Sequence, residues 1–141
     1  MITASRRIQF AYGHRVWKHE SKCKHFHGHN GVVWLHARAP ELDSLGRVID
    51  FGVLKERIGA WIEQNWDHGF IYNIEDEETE KVLLSLSEQK VFRLDNNPTA
   101  EVMASFLLHV VCPHLLEGTG VEVFKVTFYE TENCFAEATL E

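Results

Sequence analysis

Residues 121–140 read Val121-Glu122-Val123-Phe124-Lys125-Val126-Thr127-Phe128-Tyr129-Glu130-Thr131-Glu132-Asn133-Cys134-Phe135-Ala136-Glu137-Ala138-Thr139-Leu140. Over 121–131, Val121, Val123, Lys125, Thr127 and Tyr129 fall on one face, and Glu122, Phe124, Val126, Phe128 and Glu130 on the other. Alternation of period two is the signature of a strand. It resumes over 134–140, and the short Glu132-Asn133 connection makes the two segments an antiparallel hairpin.

Working outward, residues 6–14 also alternate, with Ile8, Phe10 and Tyr12 on one face. Residues 15–28, crowded with Lys, His and Gly, lack any period and read as a long loop. Residues 29–39 are rich in strand formers and give a second N-terminal strand. Pro40, Asp43, Ser44 and Gly46 then mark a turn. From Phe51 the period changes: Leu54, Ile58, Trp61 and Ile62 recur at helical spacing, so 52–65 is a helix. Residues 66–98 are mixed, with a solvated acidic run from Glu75 to Glu80 and a short helix over 80–87. Pro98-Thr99-Ala100-Glu101 opens a second long helix whose apolar side carries Met103, Phe106, Leu107 and Val110, with Pro113 near its end. The order strand, strand, helix, helix, strand, strand predicts an α+β fold, an antiparallel sheet with helices on one face. Its open edges invite self-association.

A chain of 141 residues fits one domain, 1–141. It has no apolar run of the ~18 residues a membrane span needs, and the N-terminal residues show no signal-peptide core. A cytoplasmic location without membrane partners is therefore expected. Cys23, Cys112 and Cys134 are odd in number and form no C-x-x-C pair, which argues against a disulfide scaffold and a four-cysteine zinc site. The net charge of −7 is unlike a general nucleic-acid binder. Residues 1–24 run against it: Arg6, Arg7, Arg15, Lys18, Lys22 and Lys24 oppose Glu20 alone, a local excess of +5. Such a cluster is either a solvated face or an attraction for an anionic substrate.

His27-Gly28-His29 is the sharpest local feature. In extended chain, residues two apart point to the same face, so both imidazoles can reach one ion. If the first two strands pair, His14 joins them. Three nitrogens plus an open position is the catalytic zinc pattern. Spacing alone leaves His19 and His25 as competing ligands, whereas His36, His109 and His114 read as ordinary strand or helix residues. Cys23, flanked by Lys22 and Lys24, is either an ordinary loop cysteine or a thiol activated by local cations. Asp67-His68, after the first helix, is either a surface neighbour pair or a proton-transfer pair. Glu130 is either solvent-facing or an acceptor for a guanidine-like edge.

Together these pieces resemble the 6-pyruvoyltetrahydropterin and 6-carboxytetrahydropterin synthase family. The matching segments are Phe10-Ala11-Tyr12-Gly13-His14-Arg15, Cys23-x-x-x-His27-Gly28-His29, Gly46-Arg47-Val48-Ile49-Asp50-Phe51, Asp67-His68, Asn97-Pro98-Thr99-Ala100-Glu101 and Tyr129-Glu130-Thr131. They span nearly the whole chain in the family's order. The resemblance implies a tunnelling fold (T-fold) whose subunit is a four-stranded antiparallel sheet with two helices. It also implies homo-oligomers, trimers stacking into hexamers, with active sites between subunits. By resemblance, His14, His27 and His29 are zinc ligands, and Cys23 is the catalytic thiol. Asp67 and His68 are its proton-relay partners, Glu130 is the pterin anchor, and Thr99 lies in a segment that helps hold the ring.

Animal-type pyruvoyl synthases place more residues between the cysteine and His-Gly-His. The short gap after Cys23 and the Val48-Ile49-Asp50-Phe51 run look more like the bacterial carboxy enzymes. Those are lyases of queuosine and deazapurine biosynthesis that act on 7,8-dihydroneopterin triphosphate. Alternatives are pyruvoyl synthesis and a non-catalytic zinc- or pterin-binding oligomer. The segment 69–96 departs from compact members and is expected to reshape the rim of the site.

Overall fold

The computed structural model describes residues 1–141. One six-stranded sheet forms the frame. Its strands are β1 (Thr3–His14), β2 (His27–Arg38), β3 (Gly69–Asn73), β4 (Val91–Leu94), β5 (Glu122–Thr131) and β6 (Cys134–Thr139), in the spatial order β4-β3-β1-β2-β5-β6. The four strands read from alternation pair antiparallel, β1 with β2, β2 with β5, and β5 with β6. The expected hairpin at Glu132-Asn133 is present.

The α+β class stands, and the count of four strands is corrected to six. β3 and β4 run parallel to β1 and to each other, so the sheet is mixed. Both lie in the segment read as mixed. They are only five and four residues long, and Gly69–Asn73 is buried enough on both sides to show no alternation. Parallel neighbours need a crossover connection. The link from β3 to β4 contains α2 (Glu77–Leu84), the short helix read over 80–87, which lies three residues earlier in the chain.

The first long helix, α1 (residues 51–65), runs Phe51–Leu54, takes a π-turn over Lys55–Gly59, and resumes over Ala60–Asn65. Asp50 caps its start by accepting from Gly52 N–H at 2.8 Å. The last helix, α3 (residues 100–115), is built the same way, with a π-turn over Leu107–Val111. Its cap is Thr99, whose hydroxyl accepts from Val102 N–H at 3.2 Å.

Phe10, Val33, Leu35, Val126 and Phe128 project from the sheet onto Leu54, Ile58 and Ile62 of α1 and Met103, Leu107 and Val111 of α3, all buried. Burying side chains of this size contributes roughly 1.5–3 kcal/mol each. The opposite sheet face is mixed, with Val32 and Trp34 of β2 beside Asn30 and His36. No helix is long and apolar enough to cross a membrane.

Candidate metal centre and proton-relay pair

β1 and β2 pair without interruption from Thr3↔Arg38 to His14↔His27, so Tyr12 faces His29 and Gly13 faces Gly28. The alternation that sends Phe10 and Tyr12 to the core sends His14 there too, and His27 and His29 share the side of Val33 and Leu35. The three rings meet with centroids 4.6, 4.9 and 5.0 Å apart. One ring nitrogen from each lies within 4.8 Å of the others. A larger residue at 28 would crowd the strand, because a Cβ there would stand 3.1 Å from Tyr12 O.

Backbone carbonyls fix two of the tautomers. His14 Nδ1 lies 2.7 Å from Pro98 O, and His27 Nδ1 lies 2.6 Å from His25 O. A carbonyl only accepts, so both Nδ1 atoms carry the proton and both Nε2 atoms keep a free lone pair. The Nε2 atoms of His14 and His29 are buried without a hydrogen-bond partner. The Glu130 carboxylate stands 3.4 Å from His29 Nε2 and 4.0 Å from His14 Nε2.

Converging lone pairs beside a carboxylate call for a cation. A proton fits poorly at His14: burial, opposed by the Pro98 bond and aided by His27 and His29, lowers its pKa to about 4. Burial lowers His29 as well, against the pull of Glu130. A metal ion on three neutral imidazoles suits this donor set. Of the competing ligands, His25 contributes its carbonyl rather than its ring, and His19 Nδ1 accepts from Ser21 N–H.

Asp67 and His68 form a second unit. Ala11 N–H donates to Asp67 Oδ1 at 3.0 Å, and His68 N–H donates to Ala11 O at 2.7 Å, pinning the dipeptide to the edge of β1. His68 Nδ1 lies 2.9 Å from Asp67 Oδ2. Burial raises the Asp67 pKa, but the bonds from Ala11 and His68 and nearby cations outweigh it, and the net shift is downward. An ionised Asp67 holds the proton on His68 Nδ1 and leaves Nε2 free. His68 sits at φ 58°, a left-handed conformation uncommon for a non-glycine residue. It opens onto a cavity of about 460 Å³ shared with His29. Glu130 and His29 line a second cavity, of about 660 Å³.

Cys23 lies in a single 3₁₀ turn, Lys22–Lys24. Its carbonyl accepts from Val16 N–H at 2.8 Å and closes the neck of the loop. The hydrogen bonds of the Asp67–His68 pair do not reach it. Thr99 holds α3 through its hydroxyl oxygen, and its segment supplies the Pro98 carbonyl to His14.

Three supports escaped the sequence reading. Lys90 Nζ donates to Asp67 O at 2.6 Å and to Glu63 O at 2.9 Å, bracing the turn that carries His68. The Asn97 amide grips Trp17 both ways, accepting from its N–H at 3.1 Å and donating to its carbonyl at 2.9 Å. Tyr12, expected only in the core, packs on His14 and His29 and buries a hydroxyl without a partner. Asn97-Pro98 stood in a matched motif, whereas nothing in the sequence marked Lys90.

A family model described as 6-pyruvoyl tetrahydropterin synthase matches residues 3–141. The 6-carboxy-5,6,7,8-tetrahydropterin synthase of Rickettsia felis is 40% identical over 137 residues, covering 97% of this chain and 99% of the relative. A protein of the same name from Aquifex aeolicus is 30% identical, covering 94% of each. Among solved structures, an uncharacterised protein from Wolinella succinogenes superposes with a TM-score of 0.85 at 27% identity, covering 99% of this chain and 98% of that one. The 6-pyruvoyl tetrahydropterin synthase of Caenorhabditis elegans gives 0.71 at 20% identity, covering 99% and 96%, a likeness of fold.

Proposed function

The chain belongs to the 6-pyruvoyl tetrahydropterin synthase family, and from that premise we propose that it converts 7,8-dihydroneopterin triphosphate and water into 6-carboxy-5,6,7,8-tetrahydropterin, acetaldehyde and triphosphate. It is a lyase-type enzyme, as its near-full-length relatives are. The reading places it in queuosine and deazapurine biosynthesis, as a cytoplasmic homo-oligomer of one domain per subunit.

The observation that carries the proposal is the set of three imidazole nitrogens with two tautomers fixed by backbone carbonyls, beside an Asp–His pair that shares a cavity with His29. His14, His27 and His29 would hold zinc, which when bound supplies an electrophile for the substrate's side-chain oxygens. Glu130 accepts paired hydrogen bonds from the guanidine-like edge of the pterin and fixes the ring, with the Thr99 segment beside it. Cys23, as thiolate, takes a proton from the side chain. His68, oriented by Asp67, moves a proton at the opposite side through Nε2. The free edges of β1 and β6 support assembly into trimers or hexamers, with active sites completed between subunits.

The test is incubation with dihydroneopterin triphosphate and mass spectrometry of the product. We expect the 6-carboxy compound. The 6-pyruvoyl compound would reassign the reaction, and no product would leave a pterin-binding oligomer. In parallel, His27→Ala with His29→Ala should lose stoichiometric zinc by metal analysis, and Cys23→Ala should lose turnover by at least about 10²-fold. Retained zinc or retained turnover would defeat the respective assignment.

A further inference from the structure

The loop between β1 and β2 is anchored at several points, more than a solvated connection needs. Val16 N–H closes its neck on Cys23 O, and His25 N–H donates to Lys22 O at 3.0 Å. Asn97 clamps Trp17 from below, and the next residue, Pro98, fixes His14. The same segment therefore positions a metal-site histidine and this loop. The Lys18 ammonium is set over the Trp17 ring at 4.4 Å, with Lys18 itself at φ 68°. Between these anchors lies a cavity of about 370 Å³, lined among others by Lys18, His19, Lys24 and His25.

Not every cation in the loop is free. Arg15 makes a two-pronged pair with buried Asp76, at 2.7 and 2.6 Å, and a third bond to Glu78 at 3.1 Å. That commits the Arg15 guanidinium to two carboxylates, with Glu78, itself on the cavity wall, held at its exposed end. Lys18 and Lys24 remain exposed and free of carboxylate partners. In a chain of net charge −7, two lysines without carboxylate partners on a braced loop stand out as a local cationic pair.

Its position defines the anion. Glu130 approaches the histidines at His29 and His14. His27 is held at its Nδ1 by the carbonyl of His25, a residue that lines the basic cavity. The run is carboxylate, histidine cluster, basic pocket. A dihydropterin triphosphate presents groups in the same order: a ring edge that donates to a carboxylate, side-chain oxygens, and a polyanionic tail. We propose that Lys18 and Lys24, with ring N–H groups of His19 and His25, form an anion cradle that binds the triphosphate arm of the substrate and the triphosphate released from it. The inference rests on the function proposed above.

The test compares the zinc-loaded wild type with Lys18→Gln/Lys24→Gln, and with Lys55→Gln/Lys81→Gln, a control that removes the same charge from exposed helix positions. Calorimetry with inorganic triphosphate should show binding weakened about tenfold in the cradle variant and unchanged in the control. The cradle variant's kcat/KM for the pterin triphosphate should fall by a similar factor at low ionic strength, and the gap should close as salt is raised. Equal binding in wild type and cradle variant, or an equal loss in the control, overturns the cradle. A wild type that binds triphosphate through these lysines but makes no pterin product would overturn the proposed function and leave the cradle standing.

Discussion

At the scale of single residues, the site is defined by polar atoms that lack partners. Tyr12 buries its hydroxyl against His14 and His29 with no hydrogen bond, and burial, reinforced by Glu130, raises its pKa. A buried hydroxyl without a partner costs about 1–3 kcal/mol of desolvation. Tyr12→Phe should therefore hold or raise stability, by up to about 1 kcal/mol in urea denaturation, where a loss of that size would show that the hydroxyl is bonded in solution. His36 is the reverse case, a histidine with both nitrogens engaged on the far face of the sheet. Thr127 donates its proton to Glu137 at 2.9 Å, so it accepts from His36 Nε2–H at 3.0 Å, and His36 Nδ1 accepts from Ser5 at 2.8 Å. Burial, with Lys125 and against Glu137, lowers its pKa below 6.5. The unfolded chain then binds the proton more readily, so this contribution to stability is complete above pH 6.5 and declines as pH falls through the interval below it. Denaturation midpoints between pH 7.5 and 5 should fall more steeply for the wild type than for His36→Gln. Parallel slopes would remove His36 from the pH response.

At the scale of elements, the turn between α1 and β3 carries the Asp67–His68 pair, and Lys90 holds it from outside. Its ammonium bonds two carbonyls, Glu63 O near the end of α1 and Asp67 O, as a cation at a helix C-terminus should. Lys90→Met removes both bonds while keeping the stem that packs beside Gly69. The left-handed conformation of His68 is then less well determined. The expected result is about 1–2 kcal/mol of lost stability and a fall in kcat larger than the rise in KM. A change in KM alone would place Lys90 in substrate binding instead. The same region shows where sequence reading ends. β1, β2, β5, β6 and both long helices announce themselves by period, and Thr99 by its cap position. β3 and β4 are short, parallel and fixed only by neighbours distant in sequence. Asp67-His68 was legible as a pair, but its role depends on Ala11, 56 residues away in the chain. Lys90 lies in a polar stretch with no pattern to distinguish it from its neighbours.

At the scale of the whole molecule, the sheet is open, with strand edges that can pair with another copy. The terminal strands are β4 and β6, and because β3 pairs with β1 only over Tyr12–His14, the earlier residues of β1 also lack a partner on that side. Free edges of this length are usually blocked or paired. No strand of the chain pairs with the outer edge of β6, and Phe135 on it is 54% exposed. Leu140 N–H donates inward to Phe124 O. Antiparallel pairing alternates inward and outward groups, so the N–H of Thr139 points away from β5. Proline is tolerated at such a position on an edge strand, because only an outward donor is lost. Thr139→Pro should thus leave the subunit folded, with an unchanged far-ultraviolet circular dichroism spectrum. If β6 pairs with an edge of another copy, the substitution removes one inter-subunit bond and blocks close approach at that end. Sedimentation velocity should then show the wild type as a closed oligomer and the variant shifted toward smaller species at the same concentration. An unchanged oligomer would mean that the copies associate through another surface, and the unpaired edge of β1 would then need a different cover.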